Sequence, residues 1–214
     1  MKKLFLFSLL ISISVFTFSQ SDKYMGAMQK NLSGIDSGFR NPAYLLTLAN
    51  NFERIAIAEK NQWLPYYYAA YCQVNNGFME QDKDKVDGIA DKANMLIAKA
   101  DSMAPNNSEI SCIKSMIATC HMMVNPMQRY MEYGQESGGN IEKAIAQDPT
   151  NPRPYMLKGQ SLKYTPEQFG GGCSVAKPIL QTALDKYSVF KPASEIAPVW
   201  GKTRVEMLMK ECNQ

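Results

Sequence analysis

The chain has 214 residues, with 23 Lys and Arg against 20 Asp and Glu, one His and five Cys. Without Lys2 and Lys3, which stand in a leader-like segment, the balance is 21 basic to 20 acidic residues, or +1. No Lys/Arg cluster remains to track a nucleic-acid backbone. About 195 residues beyond the leader can bury one full core, so a single domain over 20–214 is expected.

Residues 1–19 read as a secretory signal peptide: Met-Lys-Lys is followed by fifteen uncharged residues, Leu4 to Phe18, and then by the polar SQSDK. A membrane-spanning helix would need about 20 apolar residues. Thr17 and Ser19 supply small residues for cleavage before Gln20, with cleavage after Gln20 as the alternative. No cysteine near the leader's end offers a lipoprotein acceptor, and no later segment is long and apolar enough to span a bilayer. An exported, soluble chain is expected, periplasmic or extracellular.

Beyond the leader, apolar residues recur at helical spacing with little strict alternation, the pattern of an all-α chain. Helices are predicted over 21–33, 42–60, 65–78, 84–103, 107–123, 127–147, 152–163, 173–188 and 197–212. Pro42, Pro65, Pro126, Pro152 and Pro198 stand near their starts, where a missing amide costs least.

Helix 84–103 opens in EQDKDKVD, where Asp82, Asp84 and Asp87 alternate with lysines and suit a solvated helix start. Helix 107–123 holds Cys112, Cys120 and the single histidine, His121, which reads as structural because zinc needs three or four converging ligands. Met122, Met123, Met127 and Met131 group at the next turn. Thioethers fill irregular gaps between helices, so they are read as core rather than as a soft-metal site.

Ahead of helix 173–188 stands YTPEQFGGGCS. A phosphate loop would close with Gly-Lys-Ser/Thr after a strand, whereas this run reads Gly-Gly-Cys-Ser with no strand before it. It is expected to be a structural turn with Phe169 packed beneath, an anion at the helix start being the alternative. The last helix sets Trp200, Met207 and Leu208 on one side against Lys202, Arg204, Glu206 and Lys210 on the other, as an end cap requires.

The chain also repeats itself. Ala56, Ala100 and Ala144 are 44 residues apart. Ala93, Ile97, Ala100 and Pro105 match Ser137, Ile141, Ala144 and Pro149, while Ala176, Leu180 and Ala183 give the first three terms again. Ala49 and Ala56 keep the alanines, with Glu53 between them. This small-large-small-proline pattern resembles the second helix of the tetratricopeptide repeat family. Tyr155 and Gly159 match that family's first helix, Tyr67 with Tyr71 matches half of it, and Ser111 with Ser115 keeps only the small position. The resemblance spans most of 42–188, with a unit longer than the family's 34 residues.

The resemblance implies an all-α, TPR-like solenoid of antiparallel hairpins closed by a C-terminal capping helix. Tyr67 and Tyr71 then point into packing. Tyr68, Cys72, Asn75 and Asn76 fall on the concave face, followed by Cys112, Met116, Thr119 and Cys120, and then by Arg153, Met156, Gln160, Lys163 and Tyr164. Such a face would hold a protein or peptide through a few anchors and amide hydrogen bonds. The expected function is an exported, non-enzymatic binding scaffold of unspecified partner, without cofactor or metal. A small-ligand carrier is the alternative. A third reading is an enzyme using scattered carboxylates or Cys173, although GxSxG, HExxH and dinucleotide motifs are missing and there is one histidine.

Cys173 starts one helix and Cys212 ends the next, so in an antiparallel pair these ends are neighbours and a disulfide is expected in an oxidising compartment. Cys72 with Cys112, or free thiols throughout, are the competing arrangements.

Overall fold

The computed structural model describes residues 22–214, so the signal peptide expected over 1–19 lies outside it. The described residues form α1 (Asp22–Leu32), α2 (Ile35–Gly38), α3 (Pro42–Glu59), α4 (Trp63–Met79), α5 (Lys83–Met103), α6 (Ser108–Val124) and α7 (Pro126–Arg129). A π-helical turn, Tyr130–Gly134, leads into α8 (Gln135–Gln147), α9 (Arg153–Tyr164), a 3-10 turn at Glu167–Phe169, α10 (Cys173–Val189) and α11 (Lys202–Glu211). No strand occurs among the described residues.

Side-chain caps set several helix starts. Asn41 accepts from the Tyr44 amide at 3.2 Å, Asp82 from Asp84 at 3.2 Å and Asn107 from Glu109 at 2.9 Å, each satisfying an amide the helix leaves without a partner. Short connections then reverse the chain, and α3 packs on α4, α4 on α5, α5 on α6, α6 on α8 and α9 on α10. α4, α6 and α9 also touch in turn, forming an inner row. α4 is buried without a break from Leu64 to Val74, as a helix covered on all sides must be.

The small residues that recur in the sequence sit at the closest helix contacts. Ala93, Ile97, Ala100, Ala144, Ala176, Leu180 and Ala183 are fully buried. A Cβ on Gly159 would come within 2.5 Å of Leu180 Cδ2, so α9 and α10 approach too closely for any side chain there.

Two predicted helices are changed. The span 127–147 is interrupted by the π turn, which takes one extra residue into the helix. The span 197–212 begins only at Lys202, because Gly201 at φ +110° breaks the helix and 190–201 runs irregularly.

The glycine run makes the expected turn. Gly170 and Gly172 have φ of +80° and +95°, and a Cβ on Gly171 would lie 2.0 Å from the Thr165 carbonyl oxygen. Phe169 does not pack beneath it; the ring is 69% exposed, since the backbone itself closes the turn through Gly172 N–H to Leu162 O at 2.9 Å. A Cβ on Gly172 would meet Glu167 Oε1 at 3.1 Å. The start of α10 therefore already has a carboxylate beside it, and the anion alternative finds no support. Cys173 and Cys212 form a disulfide with Cα atoms 5.3 Å apart, while Cys72, Cys112 and Cys120 are free and buried.

Replacing Ala100 or Ala144 with Leu should lower stability by about 1–3 kcal/mol through overpacking. The change at Met95, 59% exposed, to Leu should stay within about 0.5 kcal/mol. Urea unfolding of the three variants measures both; equal losses would mean that these alanines do not set the helix spacing.

Candidate functional site

The inner row of α4, α6 and α9 does not face solvent. The segment 190–201 lies across it. Tyr68 Oη donates to Ile196 O at 2.9 Å, Trp200 Nε1 donates to Tyr67 Oη at 2.7 Å, and Tyr187 Oη donates to Trp200 O at 2.9 Å. Trp200 stacks on Tyr71 with centroids 5.0 Å apart. Arg153 Nη2 donates to Pro198 O, and its guanidinium lies 4.8 Å from the Phe190 ring centroid and 5.3 Å from that of Trp200.

Below this segment is a polar hub. Glu109 Oε1 accepts from Arg153 Nη1 and Asn151 Nδ2, both at 2.8 Å, and Glu109 Oε2 accepts from Tyr67 Oη at 3.0 Å. Asn151 Nδ2 also donates to Ser108 Oγ at 2.9 Å, and Ser108 passes the chain on to Ala144 O at 2.8 Å. Arg153 is fully buried, a position a cation holds only with such partners.

This overturns the expected open face. Tyr68, Cys72, Met116, Arg153 and Met156 are all buried; the chain's own segment 190–201 holds Tyr68 and Arg153, and Met156 lies against Gly201. Cys112 and Cys120 are buried as well. Asn75 and Asn76 are half-buried, and Asn75 donates to its own helix at Tyr71 O. Thr119 is tied to Ser115 O at 3.0 Å and to Ser137 Oγ at 2.9 Å. Burial pushes the Cys120 thiol up to about 12 and Cys72 and Cys112 well up too. Cys173, the nucleophile of the enzymatic alternative, is in the disulfide.

Of the methionine group, Met122 is half-buried beside Gly134, while the other three are displaced from their expected place. Met123, Met127 and Met131 are 38%, 92% and 69% exposed, with Tyr130 at 53%, so these side chains form surface rather than core. The reason is a polar clamp beneath them. Arg129 binds Asp87 through both nitrogens, at 2.6 and 2.8 Å, and donates to His121 O at 3.0 Å. His121 Nδ1 lies 2.8 Å from Asp87 and its ring stacks on Tyr133 at 4.9 Å. The turn is thus fixed by charge, and its apolar side chains face outward. Among the described residues no group of three or more His, Cys, Asp or Glu is placed to hold a metal ion.

Gln160, Lys163 and Tyr164, the remaining residues of the expected face, do come together, at the edge where α9 meets α11. At i, i+3 and i+4 they share one side of α9. Arg204, Met207 and Glu211 share one side of α11. Arg204 Nε donates to Gln160 Oε1 at 2.7 Å and its Nη2 to Tyr164 Oη at 3.1 Å; Lys163 donates to Glu211 Oε2. Lys163 Nζ lies 4.3 Å from the Tyr164 ring centroid. The hydrogen bond to Glu211 raises Lys163 above the usual lysine value and lowers Glu211 below the usual carboxylate one. Tyr164 and Met207 remain 58% and 49% exposed. The exposed ring and thioether stand beside two bonded cations, Lys163 with its side chain only 12% exposed and Arg204 half-buried. Sequence reasoning missed Arg204 and Glu211 as members; their i, i+7 spacing was the available signal. A shallow groove of about 480 Å³ runs along α3, lined by Asn51, Arg54 and Ile57 among others.

Two outcomes follow from these clusters. Arg153→Met should cost roughly 3–5 kcal/mol, because it leaves Glu109 buried without its cation, and adding Glu109→Gln should restore part of that; urea unfolding of the single and double variants measures it. Asp87 is held at about 2, chiefly by its hydrogen bonds from Arg129, against an ordinary 3.8. A depressed carboxylate stabilises the fold above its unfolded value and loses that contribution as pH falls through the folded one. Wild-type stability should therefore decline between about pH 4 and pH 2, with Asp87→Asn showing a shallower slope there; identical acid-unfolding curves would show that the clamp contributes nothing.

No protein-family model matches the chain, and no curated protein matches it. Among solved structures, the HusA haemophore from Porphyromonas gingivalis superposes with a TM-score of 0.81 at 35% sequence identity, over 90% of this chain and 94% of that one. Identity at this level over nearly the whole of both chains extends from the fold to the packing that produces it. The chain belongs to the same family as the HusA haemophore.

Proposed function

We propose that this protein is an exported, non-enzymatic carrier of a haem-class ligand, built as a TPR-like stack of helical hairpins behind a secretory signal peptide. The observation that carries the reading is the 35% identity to a haemophore over 90% of this chain and 94% of the other. A haemophore captures haem, a flat apolar ring with carboxylates, outside the cell, and the leader expected over 1–19 is consistent with work outside the cytoplasm.

The reading of the chain as a scaffold for a protein or peptide is corrected. Its relative is a haemophore, and the face on which a peptide was expected is filled by residues 190–201 through Ile196, Pro198 and Trp200. A peptide there would have to expel an indole and leave Arg153 without its carbonyl partner. The small-ligand alternative has no such obstacle, since the exposed Tyr and Met side chains lie on outer surfaces.

Titrating residues 20–214 with haemin should give a saturable shift of the Soret band, with micromolar or tighter affinity, that is about −8 kcal/mol or better. Far-UV circular dichroism should stay unchanged. A spectrum equal to that of free haemin throughout the titration would overturn the proposal.

A further inference from the structure

We propose that the Cys173–Cys212 disulfide is a redox latch: closed, it keeps residues 190–201 over the inner row, and a dithiol reductant that opens it releases that segment together with α11 while α1–α10 stay folded. The export proposed above matters here only in supplying the compartment where the bond closes. Residues 190–201 contain no helix. They are held by side chains of other elements, with Tyr68, Arg153 and Tyr187 donating to the carbonyls of Ile196, Pro198 and Trp200. Every second carbonyl is gripped in this way, and Ile196 and Pro198 are buried. Such a grip lasts only while both ends of the segment are anchored.

The front end continues from α10, which packs on α9. The back end continues into α11, a weaker anchor. α11 has ten residues, fewer than an isolated helix needs in water, and within it Val205 and Leu208 are buried. Its polar bonds, from Arg204 to Gln160 and from Lys163 to Glu211, lie at the rim, where water competes for them. The disulfide makes up the difference. Its Cα atoms are 5.3 Å apart across a sequence separation of 39, so it closes a loop that contains 190–201 entirely and limits the freedom an opened segment would gain.

Opening is thiol–disulfide exchange. Cys212 is buried and Cys173 half-buried, so a thiolate of a dithiol, free or in a thioredoxin-class protein, attacks the Cys173 sulfur. Cys212 leaves as a thiolate and takes a proton. The reductant's second thiol loses its proton and displaces Cys173, which is protonated in turn; two electrons have moved, both cysteines are thiols and the reductant is a disulfide. Once the segment lifts, Arg153 loses Pro198 O and the rings of Phe190 and Trp200. Glu109 and Asn151 stay beside it and water replaces the carbonyl, so the charge is not stranded. Cys72, four residues from Tyr68, and Cys112, one turn from Glu109, lie on the sides of α4 and α6 that the segment covers. Cys120 lies farther along α6, against Gly77.

Cys173→Ser with Cys212→Ser, made in residues 20–214, reproduces the open state without reductant. Iodoacetamide should alkylate Cys72 and Cys112 roughly tenfold faster or more than in wild type, with Cys120 unchanged, as peptide mass spectrometry reads site by site. In the wild-type protein, amide hydrogen exchange over 190–211 should rise on adding dithiothreitol and fall back on reoxidation, while α3 to α6 exchange as before. The exchange measurement decides the matter by itself if the double variant does not fold. Unchanged rates would show that the segment holds without the bond and overturn the latch. Equal acceleration at all three thiols, or exchange rising through the whole chain, would make the bond a support of the entire fold and overturn it too. Haemin enters neither measurement, so the latch and the carrier reading fail separately.

Discussion

A single buried cation organises this molecule. Arg153 opens α9 with no solvent contact, and burying a guanidinium is tolerated only if most of its donors are met; Nη1 and Nη2 are bonded, while Nε has no hydrogen-bond partner. Glu109 comes from α6, Asn151 from the loop before α9, and Pro198 from the C-terminal segment, with Phe190 and Trp200 closing over the guanidinium faces. Each partner belongs to a different part of the chain. The penalty for burying the charge therefore becomes a geometric demand: helices 44 residues apart must align, and residues 190–201 must lie in the groove. Ion pairs of this kind add little net stability compared with apolar packing, but they discriminate strongly against arrangements that leave one partner alone.

Filling the groove decides where function can reside. In an open hairpin stack the inner row is the natural binding face; here that row is spent on internal contacts, with Tyr67, Tyr68 and Tyr71 engaged by the segment that covers them. What remains exposed is the outside. The interior becomes a rigid support, and the exposed aromatic and thioether groups stand on helices that cannot easily shift.

The ends of that support are fixed by different means. At the C-terminal end, Gly201 adopts a φ of +110° and approaches Tyr187 so closely that a Cβ would fall 2.0 Å from its hydroxyl. That turn sends α11 back along α9, and the Cys173–Cys212 bond holds its far end. At the methionine turn the fastening is electrostatic, through Asp87, Arg129 and His121. Covalent and charged ties both position side chains that packing alone would leave loose.

The sequence by itself determined what neighbours along the chain can decide. Prolines marked several helix starts, though not that of α11, the 44-residue recurrence of Ala56, Ala100 and Ala144 marked the close contacts, and the glycine run before Cys173 announced a turn. Cys173 and Cys212 stand at ends that chain order makes adjacent. Only the tertiary structure decided which faces stay open. Nothing near Tyr68 or Arg153 in sequence says that residues 190–201 will cover them. Helical periodicity likewise cannot say whether Met127 and Met131 meet another helix or water, and it gave no sign of the π turn that holds Met131. Periodicity records which side of a helix is apolar; coverage depends on a segment tens of residues away, whose path is fixed by the partners a buried Arg153 requires.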